Sequence, residues 1–209
     1  KITVGGKIGL NPLEINETPE EILEKDQQFD PYTMQKDKVM DFFEMFFAER
    51  GVKLKDSRGV LEDAVELAYQ RKGIKRDPET HSKESPTLID VIKIIQEMVE
   101  DPSEFTEVAS ASGIYEEDIE RDASRLLRHF TPFGDGGQYE NLTKPTSEKL
   151  DFSTGEVFYL NLSQGEGSGK RGLMMYLVLS KVYDHAKQTD YKVLFCIDEA
   201  HYLTQDSES

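Results

Sequence analysis

The sequence predicts an α/β protein in which an all-helical subdomain is inserted into a parallel strand–helix–strand unit. Three observations carry that expectation. Between residues 17 and 130, apolar side chains recur at helical spacing. At Val157 the period changes, and Val157-Phe158-Tyr159-Leu160-Asn161-Leu162 is mostly apolar, as expected of a strand covered on both faces. A helix predicted from about Arg171 to Lys187 separates that run from a second one, Val193-Leu194-Phe195-Cys196-Ile197. Two buried strands joined through a helix imply a right-handed parallel crossover.

Taken in order, residues 1–16 mix β-branched residues with glycines and read as a strand segment with a turn, Pro12 favouring an edge. Thr18-Pro19-Glu20-Glu21 has a capping residue, proline at the first helical position and Glu at the capping-box position. A longer helix is predicted from Thr33 to Arg50, stopped by Gly51, with Val39, Phe42, Phe43, Phe46 and Phe47 on one side. Another runs from Ser57 to Gly73 and carries Val60, Leu61, Ala64, Val65 and Ala68. Thr87 with Asp90 three residues on caps a helix through Val91, Ile94, Ile95 and Met98. A last helix fits Glu116 to Phe130, and a short one lies near Phe105. Residues 17–145 therefore form the helical subdomain, and residues 146–209 return to the strand–helix–strand core.

The net charge of −16 over 209 residues argues against a surface that grips nucleic acid through its phosphates, because that needs clustered Lys and Arg. Hydrophobic residues make up 37% and charged residues 32%, and no apolar stretch approaches the length of a membrane-spanning helix. The lone Cys196 has no partner for a disulfide, which fits a reducing cytoplasm, and its apolar neighbours make it a buried structural thiol.

The chemistry is concentrated after the second apolar run, where Asp198 and Glu199 stand side by side. A strand that ends in an acidic pair is the Walker B pattern of nucleotide-hydrolysing proteins. It places Asp198 to hold a hydrated Mg²⁺ and Glu199 to polarise the attacking water. A surface Asp-Glu is common in an acidic protein, but the apolar run before it and the small Ala200 after it favour the catalytic reading.

The glycine-rich Gly165-Glu166-Gly167-Ser168-Gly169-Lys170-Arg171 imitates a phosphate-binding loop and fails on inspection. Gln164 stands where the motif needs its first glycine, and Arg171 where it needs Ser or Thr. It reads as a flexible loop, a reading favoured over phosphate contact by Lys170 or Arg171 in an assembled ring. With no phosphate loop in the chain, and with the chain opening on Lys1 and ending soon after His201, the expectation is a piece of an ATPase that is inactive alone.

His81, His129, His185 and His201 are scattered, with no spacing that suggests zinc. His201 follows the acidic pair closely and either couples the nucleotide state to neighbouring groups or is an ordinary polar residue where the strand passes into a loop. The Phe42–Phe47 stripe reads as core rather than as a partner groove.

In order along the chain, several segments resemble those of the type IV secretion and conjugative-transfer ATPases of the HerA–FtsK superfamily. They are Gly9-Leu10-Asn11-Pro12-Leu13-Glu14-Ile15, Pro86-Thr87-Leu88-Ile89-Asp90, Gly136-Gly137-Gln138-Tyr139-Glu140-Asn141-Leu142, the Val157–Leu162 run and Val193–Leu203. The resemblance implies a RecA-like parallel-sheet core, here partial, carrying the helical subdomain. It implies ATP and Mg²⁺ in the parent protein, with Asp198 on the Mg²⁺ side and Glu199 catalytic. It also implies ring or hexamer assembly, a membrane-bound secretion channel as partner at the inner face of the cell membrane, and transport of DNA or protein. DNA contact is not expected of this acidic piece itself.

Two other readings compete. Asp198-Glu199-Ala200-His201 also spells the motif of DEAH-type helicases, but no basic groove accompanies it. The helical subdomain could also serve as a non-catalytic protein-interaction module.

Overall fold

The computed structural model describes residues 2–3, 8–15, 30–106, 115–147, 160–161 and 168–188. Five α-helices dominate them: α1 (Pro31–Glu49), α2 (Arg58–Arg71), α3 (Leu88–Glu100), α4 (Glu116–Leu127) and α5 (Ser168–Gln188). Short 3₁₀ turns fill the connections. The Thr18–Glu21 helix start lies outside the described residues.

Each boundary has a local cause. Asp30 caps α1, accepting from the Thr33 N–H at 3.0 Å and the Thr33 hydroxyl at 2.6 Å, and Pro31 takes the first helical position. The helix thus starts two residues before the predicted Thr33. It stops at Gly51, whose φ of 67° only glycine adopts without strain, and the Val52 N–H returns to the Phe47 carbonyl at 3.0 Å. α2 ends the same way at Gly73 (φ 72°), with the Ile74 N–H on the Tyr69 carbonyl. At the start of α3 the Asp90 carboxylate accepts from the Thr87 N–H at 2.7 Å and the Thr87 hydroxyl at 3.0 Å. Glu116, Glu117 and Asp118 open α4, where negative charge offsets the positive end of the helix dipole.

The core lies between these helices. α3 packs on α4 and α2, while α5 lies against α1. Phe42, Phe43, Phe46 and Phe47 are all at most 1% exposed. Their rings meet Phe130, Phe133 and Tyr139, with the Phe46 and Phe133 centroids 4.8 Å apart. The phenylalanine stripe is therefore core, and burying each ring contributes about 1.5–3 kcal/mol. The chain carrying Phe133 and Tyr139 folds back tightly. A Cβ on Gly137 would come within 2.4 Å of the Pro132 carbonyl oxygen, so no larger residue fits there.

The predicted α/β class is corrected. Among the described residues, strand structure is confined to β1 (Ile2–Thr3) and β2 (Leu160–Asn161), which pair in parallel with Ile2 opposite Leu160. Two strands of two residues cannot form a layer that buries a core. The buried apolar cluster comes instead from the five helices, their connecting turns and the Leu10–Ile15 segment. The described architecture is all-helical, and the RecA-like parallel-sheet core that the resemblance implies is absent from the described residues. Of the apolar runs at residues 157–162 and 193–197 only Leu160 and Asn161 lie among the described residues, where they form β2, and the described core is built from the helices instead.

Candidate functional site

Asp198 and Glu199 lie outside the described residues, as do Cys196, His201 and the whole Val193–Ala200 run. The glycine-rich segment is described only from Ser168 onward, and there it differs from the expected loop. Ser168, Gly169, Lys170 and Arg171 form the first turn of α5, which therefore begins three residues before the predicted start. The histidines are not gathered. His81 is buried in the turn after α2 with Nε2 2.9 Å from the Lys75 carbonyl oxygen, His129 packs edge-on to Phe47, and His185 lies on α5. Among the described residues no group of His, Cys, Asp and Glu is arranged to hold a metal ion.

What the structure does bring together is three of the five short segments noted in the sequence, Gly9–Ile15, Pro86–Asp90 and Gly136–Leu142, each unspecific by itself. The Gly9–Ile15 segment threads between the other two. Its Asn11 side chain donates to the Pro86 carbonyl at 2.8 Å and accepts from the Leu13 N–H at 3.0 Å. The Leu10 N–H donates to the Asn141 carbonyl at 3.1 Å, and the Asn11 N–H to the Thr146 hydroxyl at 3.1 Å. Gly9 and Ser147 exchange two bonds, the Gly9 N–H to Ser147 Oγ at 2.9 Å and the Ser147 N–H to the Gly9 carbonyl at 3.1 Å. Glycine is required there, because a Cβ would lie 2.1 Å from the Pro145 carbonyl oxygen. From below, Tyr69 of α2 donates its buried hydroxyl to the Leu13 carbonyl at 2.7 Å. A segment with no regular secondary structure is buried here because its backbone groups find these partners.

Beside this segment runs a polar seam against α5. Gln35 of α1 donates to the Pro12 carbonyl at 2.7 Å, and Tyr176 of α5 donates to the Lys38 carbonyl at 3.1 Å. Lys38 pairs with Asp184, and Lys181 pairs with Glu14. Burial pushes the Lys181 ammonium below its ordinary value, and the opposing pull of Glu14 does not recover all of the cost. Burial, with Asp41 nearby, pushes the Tyr176 hydroxyl up to about 12. The space between these side chains is about 20 Å³, room for one water. Opposite charges are matched across the seam, so it can fix a helix in place.

A cationic corner sits at the far end of α1 and α4. Burial and then Arg50, Arg125 and Arg128 hold the His129 imidazole below its ordinary value. Arg50 lies over the Phe46 ring at 4.7 Å and caps α1, and Arg125 sits in the last turn of α4, where positive charge offsets the helix dipole. Neither the seam nor this corner follows from spacing, because each joins residues from different helices.

No described helix is long and apolar enough to cross a membrane. No protein-family profile matches the chain, and no curated protein matches it. Among solved structures the chain is similar to VirB4 of Thermoanaerobacter pseudethanolicus, with a TM-score of 0.68 and 17% sequence identity. The likeness covers 97% of this chain and 48% of that one, so the chain spans about half the length of that protein. At this identity the likeness is one of fold, and this chain is built like roughly half of VirB4.

Proposed function

We propose that the chain is part of an ATP-hydrolysing motor of the kind that drives DNA or protein transfer in conjugation and type IV secretion. The observation that carries this reading is the likeness to VirB4 along 97% of the chain, which supports a relation to the motors of secretion and conjugation. The acidic pair supplies the chemistry. Bound Mg²⁺-ATP would supply the phosphoryl group under attack. Asp198 would hold the hydrated cation, to which a hard carboxylate oxygen is suited, and Glu199 would orient and polarise the attacking water. The phosphate-binding loop is not among these 209 residues, so the chain alone neither binds ATP tightly nor hydrolyses it in this reading. Further copies in a ring and a membrane-bound channel at the inner face of the cell membrane are the proposed partners.

The test is ATP turnover by the protein with its phosphate-binding loop, with and without Glu199→Gln. Loss of turnover with ATP binding retained is the expected result. Unchanged turnover would remove the acidic pair from the mechanism.

A further inference from the structure

We infer that the Lys38–Asp184 and Lys181–Glu14 pairs form a charge latch that fixes α5 in one register on the helical bundle. The four side chains are positioning residues rather than a source of stability.

α5 holds the bundle in two ways. Its first half is seated by apolar burial of Leu173, Met174 and Leu177. Its second half is seated by charge, with Lys181 reaching Glu14 of the buried N-terminal segment and Asp184 reaching Lys38 of α1. Lys181 and Asp184 stand three residues apart, so they share one helix face and present a cation and an anion about one turn apart. The receiving surface answers in the same order, with an anion for the cation and a cation for the anion. Sliding α5 by one turn toward Lys38 would set Lys181 beside Lys38, and sliding it the other way would set Asp184 beside Glu14. Like charges would meet in either wrong register, and such repulsion discriminates more strongly than the correct pair attracts.

The burial argues that this discrimination is what the pairs provide. The Lys181 side chain is 13% exposed and that of Asp184 18%. Moving such groups out of water costs energy that pairing only partly returns, and the depressed Lys181 ammonium shows that the balance is unfavourable there. Apolar side chains of similar size would cost less to bury and would accept several registers, between which the helix could slide. Fixing a register is the best-attested use of buried polar groups of this kind.

The consequence rests partly on the proposed function. α5 takes up the last four residues of the glycine-rich segment in its first turn, and Asp198 comes ten residues after its last residue, Gln188. The latch therefore sets the point from which the chain departs toward the acidic pair.

The test is hydrogen exchange on the 209-residue chain. Lys38→Asp and Asp184→Lys, made singly, are expected to speed exchange of the α5 amides about tenfold while α2 to α4 stay protected. Either double reversal, Lys38→Asp with Asp184→Lys or Lys181→Glu with Glu14→Lys, leaves two like charges on α5 facing two of the other sign, which also match one turn out of register. Each is therefore expected to restore only part of the protection, whereas reversing all four residues together is expected to restore it in full. The neutral pair Lys181→Met with Glu14→Gln separates register from stability. Its urea midpoint should stay level or rise while α5 loses protection. A falling midpoint with protection lost evenly over all helices would overturn the latch, and so would a fourfold reversal that fails to restore α5. This readout does not depend on catalysis. A protein without ATP turnover whose α5 responds as described would retain the latch and lose the motor.

Discussion

The side-chain amide of Asn11 donates to the carbonyl oxygen of Pro86 at 2.8 Å, across a buried contact between residues 75 apart in sequence. One side chain thus ties the N-terminal segment to the residue before the cap of α3, while its own oxygen holds the Leu13 N–H. Asn11→Ala would orphan a buried carbonyl and a buried N–H together. The expected loss is about 2–4 kcal/mol, read as a lower urea midpoint at unchanged slope. Asn11→Asp would turn a carboxylate oxygen toward the Pro86 carbonyl and should cost at least as much.

Tyr69 tests the same segment from beneath. Its hydroxyl donates to the Leu13 carbonyl at 2.7 Å in a fully buried site. Tyr69→Phe keeps the ring packing and removes the bond, so a loss of about 1–2 kcal/mol is expected in the same unfolding experiment. No measurable loss would mean that the carbonyl finds another donor.

The half-buried Glu66 gives a pH dependence. Burial alone would raise its carboxyl, but bonds from Lys36, Tyr32 and Gln70 outweigh burial and hold it below the ordinary value. A carboxyl lowered in the folded state contributes stability above the unfolded value and loses it as pH falls through the folded one. Wild type should therefore exceed Glu66→Gln in thermal midpoint at neutral pH, and the gap should close on acidification below the ordinary carboxylate range. A gap that does not depend on pH would assign the effect to packing.

His129 offers a readout without unfolding. Burial first, and then Arg50, Arg125 and Arg128, keep its imidazole below the ordinary value. Arg128→Gln removes one cation from an exposed position, so NMR titration should show the His129 value moving up. An unchanged value would leave burial, Arg50 and Arg125 as the causes.

Much of the helical part is legible in the sequence. Phe42, Phe43, Phe46 and Phe47 fall on one face by spacing alone, and Gly51 and Gly73 mark two stops that the structure shows with positive φ. Thr87 and Asp90 announce the start of α3. Other features resist such reading for physical reasons. Asp30-Pro31 is a sufficient start signal, but it precedes the apolar period that draws attention to Thr33. Gly165–Lys170 looks like a loop by composition, and α5 nevertheless begins at Ser168. The apolar run through Leu160 suggests a sheet, where the described residues show a two-residue pairing. The pairing of Lys38 with Asp184 spans 146 residues, and a helical period reports which face is covered but not by what. Of the candidate site, Asp198 and Glu199 stand on sequence alone, since they lie outside the described residues.

The aromatic cluster also sets a timetable for synthesis. Phe42, Phe43, Phe46 and Phe47 leave the ribosome long before Phe130, Phe133 and Tyr139, the rings that cover them. At ordinary translation speed the stretch from Phe47 to Tyr139 takes roughly 5–20 s. Through that interval the nascent chain carries an uncovered phenylalanine stripe, a ready ligand for a chaperone. The position of Tyr139 decides when that exposure ends.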